Sequence, residues 1–259
     1  AQAGFDTVGL DTRGELVGHD WWLGESALLG VAIDRQQQAS WLGALGDRSF
    51  GVQREVQLYA ATWRGPWQVQ ARLASGSVQR QLQRRLRLGG LEDHVGSRLS
   101  GDYLGLSLAL AHRLQVGALI LRPYLSSDYV QVANDGFAEA GATGFGLQAR
   151  AWDSRRWQGA AGLRAERGWR SGDAQWTLDA RMEWRRTLAS AGIAFDASFT
   201  GLEQWAQLQG MVLSPRARQF GLGLGVQFGR HGLLRFDLGR RDDGLRQAGM
   251  AQLQAGYRF

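Results

Sequence analysis

The feature that most constrains this chain is an alternation of period two, clearest over its last stretch. Ala251, Leu253, Ala255, Tyr257 and Phe259 fall on one side of an extended strand, and Met250, Gln252, Gln254, Gly256 and Arg258 fall on the other. Such a strand has one apolar and one polar face, as in a soluble sandwich or the wall of a membrane barrel. Its apolar side becomes more aromatic toward Phe259. Terminal segments are ordinarily polar and frayed, so an aromatic there asks for an apolar partner or a membrane interface.

The same grammar runs through the chain: an alternating segment, a tight turn, another alternating segment, a long connection. It predicts strands over 5–16 and 21–33, turning at Gly18–Asp20, and then a long connection through Gln36–Gln38 and Asp47. Segments 51–63 and 67–77 form a hairpin through Arg64, Gly65 and Pro66, a strong turn signal. A basic loop is expected over Arg80–His94, then strands 99–111 and 117–129 about a turn at His112–Leu114. A loop over Val130–Ser154 leads to strands 155–169 and 176–188, joined at Ser171–Asp173. The stretch 189–218 is mostly loop, with an alternating piece Ile193, Phe195, Ala197, Phe199. Strands 220–228 and 233–241, turning at Gly229–Gly232 and Asp242–Gly244, lead into the last one.

Tight turns alternate with long loops, so the two ends of the sheet differ. A sandwich gives no reason for that asymmetry, whereas short turns at one rim and long loops at the other fit a membrane barrel. Many of the 11 Trp stand at or near segment ends, including Trp21, Trp22, Trp63, Trp67, Trp157, Trp169, Trp176 and Trp184, as rings at a water–lipid boundary would. With 259 residues the expectation is one domain over 1–259. The 3 Pro against 37 Gly suit paired, crowded strands, and no apolar run is long enough for a transmembrane helix. Cys is absent, which removes disulfides and thiol chemistry. All 30 basic residues are Arg, but they are spread along the strands and not gathered into a nucleic-acid stripe, so no nucleic-acid partner is expected.

With the apolar faces toward lipid, the polar faces line a hydrated pore. That lining comprises Gln68, Gln70, Arg72, Arg122, Tyr124, Arg164, Glu166, Asp179, Arg181, Glu183, Arg185, Arg235, Asp237 and Arg258. Unlike charges on such a face pair across strands. No catalytic constellation emerges. His94 beside Asp93 lacks a placed nucleophile, and no metal-ligand spacing or cofactor motif is present, so neither a metal nor a cofactor is expected. The Arg80–Arg87 run could meet lipopolysaccharide phosphates or be simply solvated.

Several pieces, in order, resemble the translocator β-domain of type V autotransporters. They are Phe5–Leu10, Trp21–Gly24, Leu58–Ala60, Arg122–Tyr124 with Asp128–Tyr129, and Phe137 with Glu139 and Gly141. Gly162–Arg164, Ser198–Phe199, Gly221–Leu224 and Gly256–Phe259 complete the set. The resemblance implies an all-β, antiparallel up-and-down transmembrane barrel of about twelve strands in the Gram-negative outer membrane. It implies export of an N-terminal passenger through that barrel, with a linker helix in the lumen. It also implies that the terminal strand, through Leu253, Tyr257 and Phe259, is an assembly signal read by the barrel-assembly machinery. Membrane lipid and lipopolysaccharide are further implied partners. About eleven strands are countable, and 5–16 resembles the family's second strand, so the first strand and helix are expected outside this chain. Otherwise Ile193–Phe199 would have to close the barrel. A diffusion porin is the alternative, and a barrel-borne lipase or protease a third reading.

Overall fold

The computed structural model describes residues 8–257, apart from 43–46, 89–90, 142–144, 203, 211–213, 230–231 and 245–246. Its main sheet is built from β1 (Val8–Trp22), β2 (Ala27–Leu42), β3 (Asp47–Arg64), β4 (Trp67–Leu88), β5 (Leu91–His112), β6 (Leu114–Val116) and β7 (Leu119–Asn134). Two short strands, β8 (Phe137–Ala138) and β9 (Leu147–Ala149), precede the long β10 (Trp152–Ser171) and β11 (Ala174–Ala191). Then come β12 (Ala194–Phe199), β13 (Ala206–Gln209), β14 (Arg216–Phe228), β15 (Gly232–Asp242) and β16 (Gln247–Tyr257).

The long strands follow chain order in one curled antiparallel sheet, β1-β2-β3-β4-β5-β7-β10-β11-β14-β15-β16. β6 continues β5 after a break: partners Ala111↔Tyr124 resume at Leu114↔Leu121. Pro123 lies in the gap, and a residue without an N–H cannot sustain the ladder. Because each step reverses direction, β1 and β16 run the same way. Among the described residues neither pairs on its outer side, so antiparallel closure requires a strand of opposite sense between them.

Tight turns lie together at one rim. Gly65, Gly117, Gly172 and Gly229 take φ of 56–59°, the left-handed region glycine enters without steric cost. The other rim carries the longer connections, where β8, β9, β12 and β13 form a separate sheet in the order β13-β12-β9-β8. Ile193–Phe199 thus belongs to this small sheet and not to the wall.

Other boundaries also move. Gly18–Asp20 is strand, with the turn falling at 23–26, and in the loop expected over Arg80–His94 the described residues 80–88 and 91–94 are paired strand, the upper part of a long hairpin. The turn expected at His112–Leu114 sits at Gly117–Ala118. His19 and His112 therefore lie in strands, edge-on against Trp21 and Trp67 at 4.7 and 4.3 Å between ring centroids.

Among the described residues the wall has no conventional core. Its buried apolar residues are mostly alanines, whereas Leu73, Leu108, Leu178, Leu222 and Leu253 are 44–68% exposed. An apolar surface this extensive implies an apolar solvent.

Candidate functional site: the polar face of the sheet

Cross-strand register sorts the side chains onto two faces. Leu58, Leu73 and Leu106 are successive partners, as are Leu178, Leu224 and Phe236. Trp67, Leu104, Leu108, Met182, Leu222 and Leu253 share this apolar face with them. Near the turn rim the same face carries Trp169 stacked on Trp176, 6.2 Å apart and 8° from parallel.

The opposite face collects the charges. Gln68, Gln70 and Arg72 stand on it in β4, Arg122 and Tyr124 in β7, and Arg164 and Glu166 in β10. Asp179, Arg181, Glu183 and Arg185 stand on it in β11, with Arg235 and Asp237 in β15. Arg258 and Phe259 lie outside the described residues.

One device recurs on this face: a polar side chain reaches over the neighbouring strand to a carboxylate on the next, crossing at a glycine. The Tyr59 hydroxyl donates to Asp20 above Gly30, and the Tyr103 hydroxyl to Glu55 above Gly76, at 2.5 Å. The Tyr124 hydroxyl donates to Glu183 above Gly162 at 2.7 Å. Arg235 donates to Asp179 above Gly223, also at 2.7 Å. In each case a Cβ on the glycine would collide with the side chain passing over it. Glycine here serves close approach, not turning.

Around these bridges the charges are mutually neutralised. Arg72 bonds Glu55 and, at 3.0 Å, Gln57. Arg164 lies 3.3 Å from Asp179, and Arg235 holds both oxygens of Asp237. Arg122 and Glu166 are 3.8 Å apart, and Arg185 is 2.9 Å from Glu183. The sequence list named both ends of the Tyr124–Glu183 and Arg235–Asp179 bridges and neither end of the other two. It missed Asp20, Glu55, Tyr59 and Tyr103, although a Gly at the matching height of the intervening strand was the available signal. Above this region, at the loop rim, Arg84 reaches past Val95 to Glu139, whose hydrogen bond pushes the guanidinium above its ordinary pKa. Among the described residues His94 meets Asp93 through its backbone N–H, which donates to the Asp93 carboxylate at 2.7 Å.

A sheet with one belt of apolar side chains and a self-paired polar lining is what a water-filled passage through a bilayer requires. Residues 1–239 match the family model of the autotransporter β-domain. The chain belongs to that family. It is accordingly an outer-membrane β-barrel of Gram-negative bacteria that serves type V secretion of its own passenger. Its fold is similar to the translocator domain of the autotransporter NalP from Neisseria meningitidis, with a TM-score of 0.72 and 16% identity, over 97% of this chain and 82% of that one. It is similar also to the β-domain of the Bordetella autotransporter BrkA, with a TM-score of 0.61 and 16% identity, over 97% and 91% of the two chains. A comparison with curated protein sequences finds no match.

Proposed function

We propose that the polar face is the lumen through which the passenger is exported, and that 1–259 acts as a single, non-catalytic domain. The observation that carries this reading is the set of bridges over glycine. Together with the neighbouring ion pairs they hold most of the lining's carboxylates on partners within the wall, which lowers the charge a sliding polypeptide meets. The lining residues are the fourteen polar positions named from the sequence, joined by Asp20, Glu55, Tyr59 and Tyr103. The outer edges of β1 and β16, which end the sheet among the described residues, are where the barrel closes, because exposed edges do not persist in lipid. Leu253 and Tyr257, on the apolar side of β16, are read by the barrel-assembly machinery, with Phe259 completing the signal.

The test fuses a folded reporter before this chain, behind a signal peptide, and adds protease to intact cells. Export predicts surface cleavage of the reporter while the barrel remains heat-modifiable. A barrel that inserts but leaves the reporter protected refutes the reading. A bare chain that conducts freely in planar bilayers, with no effect of a preceding polypeptide, favours the porin instead.

A further inference from the structure

The apolar face of β10, β11, β14 and β15 holds a groove of about 490 Å³. Its floor is the cross-strand pair Ala165 and Ala180; Met182, Phe220 and Leu222 wall it, and Arg240 closes its loop-ward end. The groove exists because two methyl-sized side chains stand among large ones. Directly loop-ward the same face turns cationic. Arg186 is the cross-strand partner of Arg216, Trp184 of Arg218, and Phe220 of Arg240. All four guanidinium-bearing residues are exposed.

Like charges placed directly opposite are destabilising unless an anion lies between them. Among the described residues Arg186, Arg216 and Arg218 make no ion pair. Asp242 faces Arg218 across the ladder, but its carboxylate accepts from the Gly244 N–H at 2.8 Å and the Gln247 amide at 3.2 Å. Arg240 donates to the Gln247 side-chain oxygen Oε1 at 2.6 Å. Among the described residues the cluster thus carries more positive charge than its partners offset, at the upper edge of an acyl-sized groove.

We propose that this patch binds a phosphorylated, multiply acylated glycolipid of the outer leaflet, with phosphate on the arginine forks and one acyl chain on the alanine floor. Arginine recognises phosphate through paired, charge-assisted hydrogen bonds, and the groove is continuous with the apolar belt. The proposal moves the lipopolysaccharide contact from the Arg80–Arg87 run to the far side of the wall. It rests on the reading that the apolar face meets lipid.

The test titrates the refolded full chain in detergent with diphosphorylated lipid A, with its dephosphorylated form and with inorganic phosphate, followed by native mass spectrometry. Arg186→Gln/Arg216→Gln/Arg218→Gln should weaken lipid A binding by about tenfold or more, to the level of the dephosphorylated form, with a smaller salt dependence. Ala180→Leu should weaken lipid A but leave inorganic phosphate unaffected. Arg48→Gln/Arg54→Gln, on the same face of β3, should change neither. Equal lipid A affinity in the triple variant and the wild type overturns the site. If the triple variant does not regain heat-modifiable mobility, the wild type alone decides: an affinity unchanged at high salt overturns the proposal. The underlying reading is tested separately by brominated phospholipid, which should quench Trp176 and Trp184. No quenching means the face does not meet lipid, whereas quenching with unaltered lipid A binding sinks only the site.

Discussion

The β4–β5 hairpin and the β15–β16 hairpin cross the same apolar belt, yet the first uses 22 residues per strand and the second 11. A tilted strand spans a bilayer in roughly 9–11 residues. The short hairpin is therefore almost all membrane wall, whereas the upper half of the tall one stands above the belt. There the side that is apolar lower down reads Ser75, Ser77, Gln79, Gln81, Gln83, Arg85. The projecting part gains little from lipid and depends on its hydrogen-bond ladder and on the loop beside it. That loop covers the free edge of β5: the Asp135 N–H reaches Ser100, and Gly96 and Ala140 exchange backbone bonds at 2.8 and 2.9 Å. The short half relies instead on the lining, above all on Asp179, Arg235 and Asp237 over Gly223. Two means of stabilisation thus act at different heights of one wall.

Substituting Gly223 should show the largest effect. A leucine there would occupy the space of Arg235, Asp179 and Asp237, and parting buried ion partners costs about 3–5 kcal/mol. The urea midpoint of the refolded barrel should fall accordingly. An unchanged midpoint would break the claim that the short half depends on this bridge.

Next in size is a charge placed on the apolar face at two heights. Leu222→Arg, within the belt, should cost about 2–4 kcal/mol, while Gln81→Arg in the projecting hairpin should cost about 0–1. Equal losses at the two sites would mean that β4 does not rise out of the membrane. Smaller still, Gly162→Ala forces the Tyr124 ring aside and weakens its bond to Glu183, for about 1–3 kcal/mol. Near-wild-type stability together with an intact Tyr124–Glu183 bond in that variant's crystal structure would remove close approach as the reason for glycine.

The outcome at individual residues explains what the sequence could disclose. Alternation placed Leu178 and Met182 opposite Asp179 and Arg181, because lipid on one side and water on the other enforce period two. It failed at Arg80–His94, where both faces are wet and the backbone can be strand without an apolar signature. Gly18 and Asp20 mimic a turn, but Gly18 is pressed against Val31 and Ala32, and Asp20 is a bridge acceptor for Tyr59. A residue's use as a turn former or as space for a neighbour is decided by the adjacent strands, which local composition does not encode. Two of the four bridges were legible, because Tyr124, Glu183, Arg235 and Asp179 lie in strands of clean alternation, but which residues pair across an intervening strand is decided by register that local composition does not encode.

The smallest effect belongs to the clasp at the top of the tall hairpin. Arg84 donates to Glu139 through Nε at 2.6 Å, and Glu139 also accepts the Leu147 N–H at 2.7 Å, tying the loop's small sheet to β4. Arg84 is 36% exposed and Glu139 only 7%, so water screens part of the attraction. Glu139→Gln keeps the shape and one acceptor oxygen but removes the charge, a loss of about 1 kcal/mol or less. Because this part of the molecule stands clear of the belt, the loss should appear as local opening and not as global unfolding. Limited proteolysis within 135–149 should quicken by up to about fivefold, with the urea midpoint of the barrel unmoved. A midpoint that drops in step with the cleavage rate would show that the clasp and the wall unfold as one unit, and the division between the two halves would have to be abandoned.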